Sequence, residues 1–459
     1  MGAIISERRD MKRERKLLFP VFGLLLAVGS FLSCRQSVNR SLSPETKKEQ
    51  WMTVFIHGTV GHMLRRPSIS MIFDIYKDEV KNTLYERATR HIRKDPFFTT
   101  DQAKQGLGLQ RIDMQNTKPG SGATALAQVF DKLDQLIYKK TESHDHYYTY
   151  GWSGLVSRKK RHKEAQSFYE DLLKEIEVLK TIGVHPKIRL VGYSHGGSIA
   201  ANLALAQPKK DPQRALSVDE LVLIGTPIHD QLTDMIVHPM FKKVYNIYSR
   251  ADRVQRMDIS LPGSTFPRRI FINNKHAKIP EKLTQLRIKM IRNRTTKKRW
   301  EKKDDPRRNF NKMPIFQGHS NLLRNSSPGH TELWFFDWVR AWYRENFPLK
   351  PLPAVALLPR ILQVVKEHGE NIKHLVVDLR PQQEAILLKQ KGFRKVLPLV
   401  SEKNLEELKK VAQKFSIKKI TEKENQKHMR KAIKKATQER SEEKRKEKLL
   451  VGSKQIPQP

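Results

Sequence analysis

IRLVGYSHGGSIAANLALA, residues 188–206, decides how this chain is read. A nearly continuous apolar run climbs to Gly192-Tyr193-Ser194-His195-Gly196-Gly197, and a run of small residues at helical spacing leaves it. The first half suits a strand buried on both faces, the second a helix packed closely on a sheet. Between them, Gly192-x-Ser194-x-Gly196 has the spacing of a strand-to-helix turn that lifts a serine hydroxyl clear of the backbone. The flanking glycines let neighbouring backbone approach. The following helix start aims amide N–H groups at any charge that develops beside the serine. Ser194 is therefore the candidate nucleophile, with Gly192 and Gly196 as the glycines of its elbow and the His195 N–H as one oxyanion donor.

Outward from this turn, strand and helix patterns alternate. WMTVFIHGTVG begins the pattern at Trp51, a helical run follows near 76–95, and residues 99–123 read as an irregular loop. ALAQVFDKLDQLIYKK is helical, HYYTYGWSG reads as a strand, and 161–179 is amphipathic. VDELVLIGTP and KVYNIYSRADRV supply further strands, and TQLRIKMIR alternates as a final edge strand would. Strands alternating with helices predict an α/β fold, a mostly parallel sheet with helices on both faces.

A serine nucleophile needs a base and an acid, which such a sheet delivers in chain order after later strands. Asp252, in RADRV, follows the strand around Tyr248; His330, in SSPGHTELW, follows the last strand. Asp258 and His319 are the second choices; Ser153 in GWSG is a decoy serine without an elbow or a following small-residue helix, and Ser121 in PGSGA is a second decoy, read as part of a loop. His144, Asp145 and His146 could be read as a metal cluster, but histidines at the start of a strand account for them, and no metal or cofactor is expected.

These pieces together, FIHGTVG, GYSHGG, LIGTP, YSRADRV and GHTEL, resemble the α/β-hydrolase superfamily in its lipase and esterase branch, over residues 51–347. The resemblance implies a Ser194–His330–Asp252 triad cleaving acyl esters. It also implies a second oxyanion donor from the His-Gly turn, the Thr59 N–H among residues 58–60, with His57 orienting. A non-catalytic, membrane-tethered binding protein on the same scaffold is the alternative.

The rest of the chain sets context. Lys and Arg number 88 against 48 Asp and Glu, a formal charge of +40, which favours anionic partners. No zinc-ligand spacing, helix-turn-helix or RNP-type aromatic motif accompanies that charge, so no nucleic-acid partner is expected. An acyl-ester or lipid substrate and an anionic membrane surface are. Residues 275–312, with 15 Lys or Arg against 4 acids, read as a disordered basic surface loop, with a lid or rim of the site as the alternative.

The single cysteine, Cys34, excludes an intramolecular disulfide. It closes an apolar run, 17–33, preceded by Arg8, Arg9, Lys12, Arg13, Arg15 and Lys16. Residues 1–34 are therefore read as an export signal resembling a bacterial lipoprotein box, with Cys34 lipidated, or as an uncleaved signal anchor. Both put the body on a membrane outside the cytoplasm. Residues 35–50 read as a tether and PLKPLP at 348–353 as the end of the main domain. Residues 354–416 read as a small α/β accessory module with Ser401 capping a helix, and 417–459 as a basic tail, helical or disordered. The sequence sets no oligomeric state.

Overall fold

The computed structural model describes residues 50–60, 78–139, 145–208, 215–256, 267–273, 278–290, 327–338, 347–369, 372–418 and 421–453. The chain divides into two units, 1–48 and 49–459, and the first lies outside the described residues. The expectations for 1–34 and Cys34 therefore fall there, as does nearly all of the tether. Among the described residues no helix is long and apolar enough to cross a membrane.

Ten strands form one sheet: β1 (Trp51–Ile56), β2 (Gly108–Arg111), β3 (His146–Gly151), β4 (Lys187–Tyr193), β5 (Val218–Ile224), β6 (Phe241–Tyr248), β7 (Leu283–Met290), β8 (His374–Arg380), β9 (Ala385–Gln390) and β10 (Phe393–Pro398). Their spatial order is β10-β9-β8-β7-β6-β5-β4-β1-β3-β2. The seven neighbouring strands from β8 to β3 run parallel; β2, β9 and β10 add antiparallel edges. The chain is thus α/β with a mostly parallel sheet. Residues 99–123 include the short strand β2 within what reads as loop.

The connecting helices are α1 (Leu84–Lys94), α2 (Gly122–Tyr138), α3 (Arg158–Thr181), α4 (His195–Ala206), α5 (Asp230–Val237), α6 (His330–Trp334), α7 (Leu358–Gly369), α8 (Glu402–Gln413) and α9 (Glu422–Ser453). Their starts are chemically specified. Thr83, Ser157 and Ser401 accept from the amides of Glu86, Lys160 and Asn404, each satisfying a donor that the first turn leaves open.

Strand side chains alternate between two cores. Val191, Tyr193, Val222 and Ile224 face a cluster built with Leu126, Phe130, Leu362 and Leu408 of α2, α7 and α8. Leu190, Leu221 and Leu223 face Phe168, Leu172, Ile199, Leu203 and Ile236 of α3, α4 and α5. Helices on both faces explain why the central strands are rich in apolar residues on both sides, with the buried Arg189 and Glu220 paired to each other. A third, smaller cluster joins Val60, Tyr85, Ile92, Leu155 and Val156 to Ala432 and Ala436 of α9.

Four expectations change here. The alternation of β7 does not mark an edge: β8 pairs with it in parallel, from Gln285↔His374 to Met290↔Leu379. Leu286, Ile288 and Met290 are buried while Arg287 and Lys289 are half-buried, so the alternation reports one polar face rather than a missing neighbour. Residues 275–312 are accordingly not one loop. PLKPLP is not a boundary either. Its Leu349 and Leu352 are fully buried in the main core, and the chain continues through α7 into the same sheet. The segment 354–416 has the expected helices and strands, but they extend the sheet and its core instead of standing beside it. The basic tail is the long helix α9, docked on α1.

Candidate active site

β4 ends at Tyr193 and α4 begins at His195, so the reversal is made by Ser194 alone. Its φ of 52° and ψ of −128° lie where a side chain is crowded by its own backbone, a conformation that costs on the order of 1–3 kcal/mol in a non-glycine residue. The Ser194 amide donates to Ile224 O at 2.8 Å and its carbonyl accepts from Gly197 N at 3.0 Å, which holds the turn from both sides.

The glycines around it are there for close approach. A methyl group at Gly192 would stand 2.5 Å from Gly197 Cα, and one at Gly196 would stand 2.4 Å from the carbonyl oxygens of both Ile56 and His57. These are backbone atoms that cannot swing aside. Gly196→Ala is expected to destabilise the chain by about 2–4 kcal/mol, read as a lower urea midpoint with unchanged slope. A midpoint within error of the native chain would mean that the strand-to-helix approach is looser than described.

His330 and Asp252 come together beside this turn. His330 Nδ1 lies 2.7 Å from Asp252 Oδ2, although 78 residues separate them. Asp252 is fully buried, and its other oxygen accepts from the Gln255 amide at 3.1 Å. The carboxylate orients the imidazole so that Nδ1 carries the proton and Nε2 is left as the acceptor. His330 opens α6, where the Glu332 carboxylate accepts from the Gly329 amide at 2.7 Å. The Tyr193 hydroxyl donates to His330 O at 3.1 Å, and the two rings lie 4.6 Å apart.

Ser194 is linked to this pair through β5. The residue after its partner Ile224 is Gly225, at φ 59°. A methyl group there would stand 3.0 Å from Asp252 Oδ2 and 3.2 Å from His330 Nδ1. Serine, histidine and aspartate therefore converge on the C-terminal ends of β4, β5 and β6.

The His57-Gly58-Thr59 turn after β1 closes the opposite side. A methyl group at Gly58 would stand 2.9 Å from Ser194 Cβ, so this backbone passes directly over the serine. Among the amides of residues 58–60, that of Val60 is committed to Gly154 O at 3.1 Å, so the donor is sought at Gly58 or Thr59. The first amides of α4, His195 included, have no acceptor one turn back inside the helix.

His57 is built into the scaffold. Its Nδ1 lies 2.6 Å from Gly58 O, and its Nε2 is 3.3 Å from the Trp152 amide, which donates to it. The neutral ring protonated at Nδ1 satisfies both contacts. Complete burial, then the nearby charges of Arg93 and Lys104, hold its pKa well below the ordinary histidine range. The Trp152 indole N–H donates to His57 O at 2.7 Å and its ring stacks on the imidazole. Arg93 in turn donates to Trp152 O at 3.0 Å and Gly106 O at 2.8 Å. Burial lowers that guanidinium to about 10.

The remaining candidates fall elsewhere. Ser121 precedes α2 and accepts from Asn116 Nδ2. Ser153 sits in the loop after β3 with no histidine partner among the described residues. Asp145 accepts from the Trp51 amide and His146 lies against Arg111, each serving the sheet edge. His144, Asp258 and His319 lie outside the described residues.

Gly225, Tyr193, Trp152 and Arg93 were not singled out from the sequence. Only Gly225 carried a local signal, the Gly-Thr-Pro break at the end of β5. The others meet His330, His57 and Trp152 across more than fifty residues of chain. No family model, no curated protein and no solved structure matches this chain.

Proposed function

We propose that this chain is an α/β-hydrolase-type serine hydrolase that cleaves acyl esters. The observation that carries the reading is the buried His330–Asp252 hydrogen bond beside a serine held in a strained strand-to-helix turn. His330 Nε2 takes the Ser194 hydroxyl proton as the oxygen attacks the ester carbonyl. The imidazolium so formed is stabilised by ionised Asp252 and returns the proton to the departing alcohol. The His195 N–H and the Thr59 N–H stabilise the carbonyl oxygen as it becomes negative. Water, deprotonated by the same histidine, then releases the acid.

Residues 1–34 as an export signal or anchor, with Cys34 as its lipidation point, would hold this body at a membrane surface outside the cytoplasm. That location suits a lipid or other acyl-ester substrate.

The test is labelling of the purified chain with a fluorophosphonate probe, which forms a covalent bond only with an activated serine. Labelling is expected in the native chain and absent in Ser194→Ala and in His330→Ala. A well-folded native chain that takes no label would overturn the reading.

The brace behind the oxyanion turn gives a second, finer prediction. Trp152→Phe keeps the stacked ring but removes the donor to His57 O, so the turn carrying Thr59 loses its fixed position. A group that stabilises only the transition state affects kcat rather than KM. The expectation is a kcat on p-nitrophenyl butyrate lowered about tenfold or more, with KM within about twofold. A raised KM with unchanged kcat would show that Trp152 shapes substrate binding instead.

A further inference from the structure

α9 is far longer than the surface it packs on. It lies antiparallel to α1: His428 contacts Asp95 at 2.8 Å and stacks on Phe97, Glu439 lies 3.0 Å from His91, and Glu443 pairs with Arg87. Its inner stripe, Met429, Ala432, Ile433 and Ala436, repeats at three and four residues and closes the cluster that also buries Val60, next to Thr59. Past the Arg87 pair, residues 444–453 run on for about 15 Å at the helical rise per residue. Every side chain from Arg440 to Glu447 is exposed.

The outer surface of α9 is strongly one-signed. Lys423, Lys427, Arg430, Lys431, Lys434, Lys435, Arg440, Lys444, Arg445 and Lys446 are exposed, ten cations against the four exposed acids Glu424, Glu442, Glu443 and Glu447. At 100° per residue, Lys427, Lys431, Lys434 and Arg445 fall on the face opposite Ala436. Among the described residues none of these four is in an ion pair. Leu449, 66% exposed, falls on the same face. Glu439 and Glu443 are engaged with His91 and Arg87 of α1, which leaves Glu424, Glu442 and Glu447 as the exposed acids among the ten cations.

We infer that the outer face of α9 is the surface that seats this protein on an anionic phospholipid bilayer, beside the oxyanion turn. The inference deepens the proposed function, on which it rests for its choice of a lipid surface. Phosphate headgroups complement a row of unpaired lysines and arginines, and an exposed leucine in that row has an apolar region to enter in a bilayer but none along a nucleic-acid backbone. The inner face of α9 packs in the cluster that also buries Val60, so the helix is fixed to the same part of the fold as the turn carrying Thr59.

The experiment is sedimentation of the full chain with vesicles of phosphatidylcholine alone and with vesicles containing about 30% phosphatidylglycerol, a mole fraction set to give a cytoplasmic-leaflet-like surface potential. The ratio of the two partition coefficients isolates the charge-dependent part, because any apolar segment contributes to both. Each cation near the surface raises partition by about fivefold. The variant K427Q/K431Q/K434Q/R445Q should therefore lower the ratio at least about tenfold, with unchanged circular dichroism. Removing the same charge elsewhere, in K174Q/K373Q/K391Q/K403Q, should change it less than about twofold.

Equal losses in both variants would overturn the inference by showing that net charge alone does the binding. An unchanged ratio in the α9 variant would overturn it too, and if that variant lost affinity for a 20-nucleotide single strand the face would be a nucleic-acid surface. Because the readout is partition rather than turnover, it stands or falls separately from fluorophosphonate labelling.

Discussion

Ser194→Ala is expected to lower ester turnover by about 10⁴-fold or more, to the level of background hydrolysis. The hydroxyl is the atom that would become acylated. Ser121 and Ser153 lie on other loops. The chain should still fold, since only one oxygen is removed and the turn is held by backbone bonds from the Ser194 amide and to its carbonyl. Alanine keeps the strain of the positive φ. Ser194→Gly relieves it and should be more stable than the native chain by about 1 kcal/mol while equally inactive. Steady-state hydrolysis of a p-nitrophenyl ester together with urea midpoints reads both quantities. Because serine and histidine act as one unit, adding His330→Ala to Ser194→Ala should cost little more. Turnover surviving in Ser194→Ala at more than a few per cent would move the chemistry to another residue.

Asp252→Asn is expected to be nearly as severe, lowering kcat by about 10⁴-fold with the fold kept. The carboxylate accepts from His330 Nδ1 at 2.7 Å and from the Gln255 amide at 3.1 Å. An amide can keep one of these contacts by its oxygen, but its NH₂ then faces His330 Nδ1 and donates to it. The imidazole is forced into the other tautomer, with Nε2 protonated and unable to take the serine proton. The imidazolium would also lose its buried counter-charge. Single-turnover labelling by a fluorophosphonate, measured as a rate, checks this without needing the natural substrate. A rate within about tenfold of the native chain would reduce Asp252 to a structural carboxylate.

The two predictions rest on parts of the molecule that were legible to different degrees. The elbow was written locally. Gly192, Ser194 and Gly196 lie within five residues, and their conformation follows from a strand that must become a helix in one step. Asp252 and His330 could be named from chain order after strands, because a parallel sheet delivers successive strand ends to one edge. Their contact could not, since a 2.7 Å hydrogen bond across 78 residues depends on the tilt of β6 and on how α6 starts. The capping by Glu332 of the Gly329 amide, one residue before His330, had a short-range signal, and the packing of Gly225 against both Asp252 and His330 had only a weak one.

Periodicity misled at β7 for an instructive reason. Alternating Leu286, Ile288 and Met290 reports that one face is buried, and an edge strand and a half-covered interior strand share that pattern. Only pairing distinguishes them, and pairing with β8 is set by residues that come almost ninety positions later. The proline-rich 348–353 stretch misled similarly. Proline ends regular structure, but whether a break is also a domain boundary depends on whether Leu349 and Leu352 find a core to enter.

What the sequence determined by itself was the class and the local half of the candidate site: α/β periodicity, a serine at a tight turn, and the chain order of a candidate acid and base. Those are properties of spacing along the backbone, where steric rules act over a few residues. Tertiary structure alone decided that one sheet runs through to β10, that Arg93 and Trp152 brace the His57–Thr59 turn, and that a basic tail becomes a docked helix. Each of these is a contact whose stabilisation comes from burying groups far apart in the chain, which no local pattern records.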